Sequence, residues 1–333
     1  MIYLVTNQQS MFNSVGYSLA SIEESLEYLN TLDIIGFDTE TMGMDPYNCQ
    51  LLSMQLGDNN KQYVIDCTTV DPSEYKEILE KKELIMHNAK FDLRFLYYQG
   101  IMPHKVYDSF LMERVLHTGI DTVRKSLDAV TYKYCKIELD KTVRGHIHRE
   151  GLSARVIKYA ADDVKYLHEI RRKQIVALEE KGLKRTASLD NEFVKVLAYV
   201  EYCGFYMNPA DWQKKCDEDL KDLAAVTRKL NMFILENAET YRDFIDNQLD
   251  MFSEGVKCKI NWSSSQQVIP FMQSLGVDTK IKDKKSGMMK DSVDKKILAS
   301  QKDKHPIIKT YIEYTERQKV VSTYGENWFD YIN

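Results

Sequence analysis

Paired cysteines, long apolar runs and a basic leader are all missing from this chain of 333 residues. The six cysteines (Cys49, Cys67, Cys135, Cys203, Cys216 and Cys258) are scattered and include no Cys-x-x-Cys pair. That excludes zinc ribbons and leaves reduced, half-buried thiols as the expectation, as in an intracellular protein. No stretch approaches the roughly 20 apolar residues that a membrane span requires. The start, Met1 to Gln9, has no basic region ahead of a long apolar run, so no signal peptide is expected. Internal repeats and low-complexity tracts are absent as well. An excess of positive charge is also lacking: Lys and Arg number 45 against 50 Asp and Glu, a net charge of −5. That total does not exclude a nucleic-acid partner, because local basic patches matter more than the sum.

What is present is the composition of a soluble globular protein, 44% apolar and 29% charged. The length suggests two domains, or one large domain with an appendage. Strands are expected at Ile34–Phe37, Leu51–Gly57, Tyr63–Asp66, Glu83–Met86 and Val106–Tyr107. Helices are expected at Ser73–Lys82, Phe91–Gln99 and Ser109–His117. Strands first, then helices threaded between later strands, point to a mixed α/β sheet. Ser153 is placed to cap one helix running through Tyr159 and Asp163 to about Glu180, with Ile157, Ala160, Val164, Leu167 and Ile170 as its apolar stripe.

From Ser188 the pattern becomes mostly helical. Helices are expected over Ser188–Cys203, from Asn208-Pro209 to about Asn237, from a capping box at Ser264–Gln267 to near Gly276, and from Pro306 to about Asp330. Between Lys280 and Lys304 lies a basic stretch read as flexible, with nine lysines against four aspartates. The expected domains are therefore residues 1–187, an α/β unit, and residues 188–333, a helical one.

Three short segments carry the chemistry: Gly36-Phe37-Asp38-Thr39-Glu40-Thr41, His87-Asn88-Ala89-Lys90-Phe91-Asp92, and Tyr159-Ala160-Ala161-Asp162-Asp163. Asp38 and Glu40 are two apart at a strand end, so both side chains point to one side. Tyr159 and Asp163 are four apart on a helix, so both project from one face. Singly, each acid has an ordinary reading as a solvated turn, a helix start or an exposed helical pair. Converging, Asp38, Glu40, Asp92 and Asp163 form a carboxylate pocket in which each like-charge pair costs roughly 4 kcal/mol at 4 Å and an effective dielectric near 20. Divalent cations would cancel that charge and give the pocket a use in cutting phosphodiesters.

The three segments resemble the motifs of the 3′–5′ exonucleases that use four acids and a tyrosine, with an RNase H-like fold. The resemblance covers roughly residues 30–180. It implies that Asp38, Glu40, Asp92, Tyr159 and Asp163 are catalytic, and that the four acids hold two Mg²⁺ or Mn²⁺ ions. It further implies that Tyr159 orients a water, and that Thr39, Met44, Asn88 and Phe91 hold the last nucleotide of a single strand. Met44 reads equally as an apolar wedge against the terminal base or as a core methionine. Asp108 resembles a further supporting acid, and His146 and His148, with Arg144 and Arg149, read as a polar loop.

Beyond residue 188, Val196–Met207, Asn261–Gln267, Lys284-Lys285-Ser286-Gly287 and Glu313–Tyr324 resemble the opening helix and thumb of family A DNA polymerases. That resemblance implies DNA contacts through Lys284 and Lys285. The chain stops at Asn333, where palm and fingers would begin, so it reads either as a natural polymerase subunit with a separate palm-and-fingers partner chain or as a fragment of a longer polymerase, and synthesis by this chain alone is not expected. The leading reading is thus a proofreading exonuclease joined to a thumb. The other readings are a stand-alone RNase D-like exoribonuclease and a non-catalytic DNA-binding scaffold.

Overall fold

The computed structural model describes residues 1–8, 16–140, 142–143, 150–246, 257–283 and 287–331. The chain divides into two compact units, Met1–Phe205 and Tyr206–Asn333. In chain order the first unit contains β1 (Ile2–Val5), β2 (Ser18–Leu19), α1 (Ile22–Asn30), β3 (Ile34–Thr41), β4 (Leu51–Gly57) and β5 (Gln62–Asp66). There follow α2 (Lys76–Lys81), β6 (Glu83–Met86), α3 (Lys90–Tyr98), β7 (Lys105–Asp108), α4 (Ser109–Leu116) and α5 (Leu127–Cys135). The unit ends with α6 (Ala154–Lys165), α7 (Leu167–Glu180) and α8 (Lys184–Cys203).

The strands form one seven-stranded sheet in the order β2-β1-β5-β4-β3-β6-β7. β3 runs antiparallel to β4 and parallel to β6, so the sheet is mixed, as the strand-then-helix pattern indicated. Each face of β3 serves a different layer, because side chains alternate along a strand. Ile35 and Phe37 are fully buried in the cluster that also takes Leu93, Phe95 and Leu96 of α3. Gly36 lies on the opposite face, where the packing of α6 leaves no room: a Cβ at Gly36 would meet the Val164 carbonyl oxygen at 2.9 Å. A glycine at this position is what allows α6 to lie close against β3.

The helix expected to run unbroken from Ser153 to Glu180 is two helices that meet at Tyr166. Their apolar stripes face different surfaces. Val156, Ile157, Ala160, Ala161 and Val164 of α6 are buried, with Ile157, Ala160 and Ala161 clustered on Leu4 and Val64 of the sheet. Leu167 and Leu178 of α7 pack instead with Ile85, Tyr107, Met112 and Val115. The first unit also extends past residue 187, because Val194 and Ala198 of α8 are buried in the main core. β1 and β2, which lacked a clear sequence signal, complete one edge of the sheet.

The second unit contains α9 (Pro209–Glu236), β8 (Ile245–Asp246), β9 (Lys257–Cys258), α10 (Ser265–Ser274), β10 (Lys280–Lys282), β11 (Met289–Asp291), α11 (Lys295–Ala299) and α12 (Pro306–Tyr324). Asn208 caps α9 by accepting from the Ala210 amide at 3.0 Å. Leu230 and Ile234 of α9, Phe271 of α10 and Ile308 of α12 are fully buried together, with Trp262 and Tyr311 alongside. Two expectations are corrected here. Ser264 makes no side-chain cap on α10; Gln267 instead accepts from the Asn261 amide at 2.7 Å. The basic stretch is built rather than flexible in its described part, since β10 and β11 pair antiparallel and α11 follows. Lys280 pairs with Asp291 at 2.9 Å and Lys290 with Asp283 at 2.6 Å, which reduces the positive charge this hairpin offers to solvent.

No described helix is long and apolar enough to cross a membrane.

Candidate active site

Asp38 and Glu40 follow Gly36 on the same face of β3, by the two-residue period of a strand. Asp163 stands one residue before Val164, at the point where α6 closes on Gly36. Ligand oxygens of Asp38, Glu40 and Asp163 all lie within 4.8 Å of one another. Asp163 is buried, while Asp38 and Glu40 are half-buried. Tyr159 is one helical turn before Asp163 on the same face of α6, half-buried and packed against the small cluster of Val143 and Val156. The β3–β4 pairing shifts register between Glu40 and Thr41, an irregularity at the strand end that carries the acids.

Asp92 reaches the region from the other layer. It sits in the first turn of α3 and is 2% exposed. Its carboxylate accepts a 2.6 Å hydrogen bond from the hydroxyl of Thr39, the residue between Asp38 and Glu40 whose side chain faces the α3 layer. Burial pushes the Asp92 carboxyl up to about 7; the Thr39 hydrogen bond opposes that shift and the negative charge of Asp108 adds to it. The structure thus gathers three acids into one group and holds the fourth one hydrogen bond away through Thr39.

The backbone before α3 is held by Asp108, which lies at the end of the neighbouring parallel strand β7. Its carboxylate accepts from the Asn88 and Ala89 amides at 3.0 and 2.9 Å and also from the Phe110 amide that begins α4. Asn88 has φ of +70°, a left-handed conformation that Asn tolerates better than most residues, and its side chain is exposed. Phe91 is half-buried, with its ring 5.2 Å from that of Phe95. Met44 is 72% exposed, which excludes the core reading of this residue. Lys284 and Lys285, like Arg144, His146, His148 and Arg149, lie outside the described residues.

Sequence reasoning passed over two residues on β4. Gln55 is paired across the strands with Asp38, and Ser53 with Glu40, so both belong to the face that carries the acids. Both are fully buried, and Gln55 donates through Nε2 to Ser53 Oγ at 2.7 Å. Gln55 Oε1 has no hydrogen-bond partner among the described residues. A buried polar atom of this kind beside the acids indicates a site arranged around something further. The available signal was the alternation of Leu51–Gly57, which places Ser53 and Gln55 on one face.

Oxygen donors alone, clustered from two elements and backed by a buried amide, suit a hard divalent cation such as Mg²⁺ or Mn²⁺.

Residues 17–175 match the family model described as a 3′-5′ exonuclease of the DNA polymerase A kind. This segment of the first unit is therefore similar to the 3′–5′ exonuclease domain of family A DNA polymerases. Among curated proteins, the chain is 27% identical over 241 residues to DNA polymerase I of Aquifex aeolicus, covering 66% of this chain and 39% of that protein. It is 24% identical over 336 residues to DNA polymerase I of Borreliella burgdorferi, covering 94% and 33%. It is also 28% identical over 182 residues to ribonuclease D of Zymomonas mobilis, covering 52% and 45%. The chain thus spans less than half the length of each of these relatives. Among solved structures, the POL domain of Pol1 from M. smegmatis, in complex with DNA primer-template and dNTP, shares the fold with a TM-score of 0.66 at 15% identity, covering 90% of this chain and 47% of that one.

Proposed function

We propose that this chain removes nucleoside 5′-monophosphates from DNA 3′ ends, as the proofreading part of a family A DNA polymerase. The observation that carries this reading is the group of Asp38, Glu40 and Asp163, with Tyr159 a turn away, inside the segment that matches the exonuclease family. Asp38, Glu40 and Asp163 would hold one divalent cation, and Asp38 with Asp92 a second. When bound, such ions supply charge neutralisation and a water of lowered pKa.

The chain's own residues do the rest. The Tyr159 phenol orients the attacking water by hydrogen bonding on the face it shares with Asp163. Thr39 holds the Asp92 carboxylate in place. Asn88, fixed in its turn by Asp108, and Phe91 position the last nucleotide. Exposed Met44 offers an apolar surface against the terminal base. A single strand held by stacking and backbone contacts gives little sequence preference.

In the second unit, Lys284 and Lys285 would contact duplex phosphates. The proposed partner is a palm-and-fingers region, on a separate chain or continuous with this one, and co-purification of a separate chain tests the first case.

The central test uses labelled single-stranded DNA with Mg²⁺. Asp38→Ala combined with Glu40→Ala should abolish monophosphate release, and residual activity at the wild-type rate would reject the site. Tyr159→Phe should lower the rate less than loss of an acid.

The likeness to ribonuclease D supports a second reading, an exoribonuclease acting on RNA 3′ ends. Rates on matched DNA and RNA 3′ ends decide between the two.

A further inference from the structure

After Thr41 the chain forms a loop, residues 42–50, before returning as β4. The loop is braced from within. Thr41 Oγ1 donates to the Gly43 carbonyl at 2.6 Å, the Met42 amide to the Gln50 carbonyl at 2.9 Å, and the Cys49 amide to the Asp45 carbonyl at 2.8 Å. Asp45 Oδ1 accepts from the Tyr47 amide at 3.1 Å. Gly43 packs so tightly that a Cβ there would meet Cys49 Sγ at 2.5 Å. A loop with this many internal bonds moves as one piece, so its position is set where it is docked.

Its docking partners are α3 and the last turn of α8. Arg94 Nη2 donates to the Met44 carbonyl at 3.0 Å. Arg94 is in turn 3.7 Å from Glu201, which also pairs with Lys90 at 2.6 Å. The Tyr47 hydroxyl donates to the Tyr202 carbonyl at 2.6 Å, and the two rings stack 5.7 Å apart at 7°. Tyr98 closes on the Tyr47 ring edge-on at 5.4 Å. Glu201 thus gathers two cations that stand four residues apart on α3. Without it these like charges repel, and Arg94 loses the partner that aims it at Met44.

We propose that Glu201 and Tyr202, in the last turn of α8, are positioning residues for the 42–50 loop, and that they set the fit of the 3′ end against Met44 without touching the acids. The kinetic consequence rests on the exonuclease reading, whereas the clamp itself rests on geometry alone. The same turn runs within a few residues into the second unit, which begins at Tyr206.

The test compares the full chain with Glu201→Gln and Tyr47→Phe. Glu192→Gln, on the same helix but away from the loop, is the control. In the first two variants the amides of residues 42–50 exchange hydrogen faster than in wild type, whereas the control is unchanged. KM for a single-stranded 3′ end rises roughly three- to tenfold while kcat changes by less than about twofold, the pattern of a lost ground-state contact. Unchanged exchange in 42–50 in both variants overturns the clamp. Faster exchange with unchanged KM, or a fall in kcat at constant KM, overturns the positioning role. If the wild-type chain degrades no 3′ end, the exonuclease reading fails, and the exchange measurement still decides whether the clamp exists.

Discussion

Asp92→Asn should stabilise the metal-free protein while removing its activity. Asp92 is 2% exposed, and burial pushes its carboxyl up to about 7. A rise of roughly three pH units from the ordinary aspartate value, at about 1.36 kcal/mol per unit, makes the ionised group roughly 4 kcal/mol less favourable in the folded chain than in the unfolded one. Asp108 contributes to that rise, so the amount belongs to the pair and a single substitution recovers only part of it. Asparagine keeps an oxygen for the Thr39 hydroxyl but loses an acceptor for a backbone amide. A net gain of about 1–3 kcal/mol above pH 7 is expected, or about 2–4 °C in Tm per kcal/mol for a unit of this size.

The pH dependence gives the sign. Below about pH 4 the carboxyl is neutral in both folded and unfolded chains, so the variant has no electrostatic advantage. Between about pH 4 and 7 the folded wild type holds a proton that the unfolded chain has released. Its stability relative to the variant therefore falls as pH rises, and levels off above about 7. Thermal melts of both proteins in chelator across this range measure the difference. Adding Mg²⁺ should raise the wild-type Tm more than the variant's, because only the wild type offers the fourth carboxylate. Exonuclease activity should fall by about two orders of magnitude or more, the scale of losing a group used in the transition state. A variant less stable than wild type at pH 8 in chelator, or a difference that does not grow between pH 4 and 7, would refute the reasoning.

Gly36→Ala places a methyl 2.9 Å from the Val164 carbonyl and 3.1 Å from that of Gly57, so α6 must move. Monophosphate release should fall at least about tenfold through displacement of Asp163, with a stability loss of about 1–3 kcal/mol from overpacking, read by assay and melt together. Glu113→Gln tests the polar network behind the sheet. Glu113 is fully buried and accepts from Lys133, Tyr134 and Gln174 at 2.5, 2.9 and 3.0 Å. Burial pushes its carboxyl up, but these hydrogen bonds outweigh burial and hold it below the usual glutamate range. The wild type therefore begins to lose this stabilisation as pH falls into the usual glutamate range and loses it fully below that range, where a deficit of about 1–3 kcal/mol in the variant at pH 7 should close. A deficit that stays constant from pH 7 to pH 3 would show that the charge is not its source.

Local spacing made half of the site legible. A two-residue step on a strand puts Asp38 and Glu40 on one face, and a four-residue step on a helix does the same for Tyr159 and Asp163. The closure of these two pairs on each other depends on Gly36, whose bare Cα is an unremarkable letter in Ile34–Thr41 until α6 is seen against it. Asp92 illustrates the limit differently. Its distance from the other acids is set by β6 lying parallel beside β3 and by an Asn88 turn held from β7 through Asp108. Both are relations between segments far apart in sequence. Thr39, named for substrate contact, turns out to have its hydroxyl engaged with Asp92, because odd positions of β3 face α3.

In the second unit, patterns of helices were readable because α9 and α12 are long and begin with a capping side chain followed by proline. The lysine-rich stretch, expected to be flexible, is built in its described part for a physical reason. Charge density argues for solvent, but Asp283 and Asp291 stand where they neutralise Lys290 and Lys280 across a hairpin. Pairing across strands has no signature in the count of charges. It appears only when register brings opposite signs together, as it does between Lys280 and Asp291. The positive surface of this unit therefore depends on which lysines lack such a partner, and not on the excess of five positive charges that the stretch displays as a string.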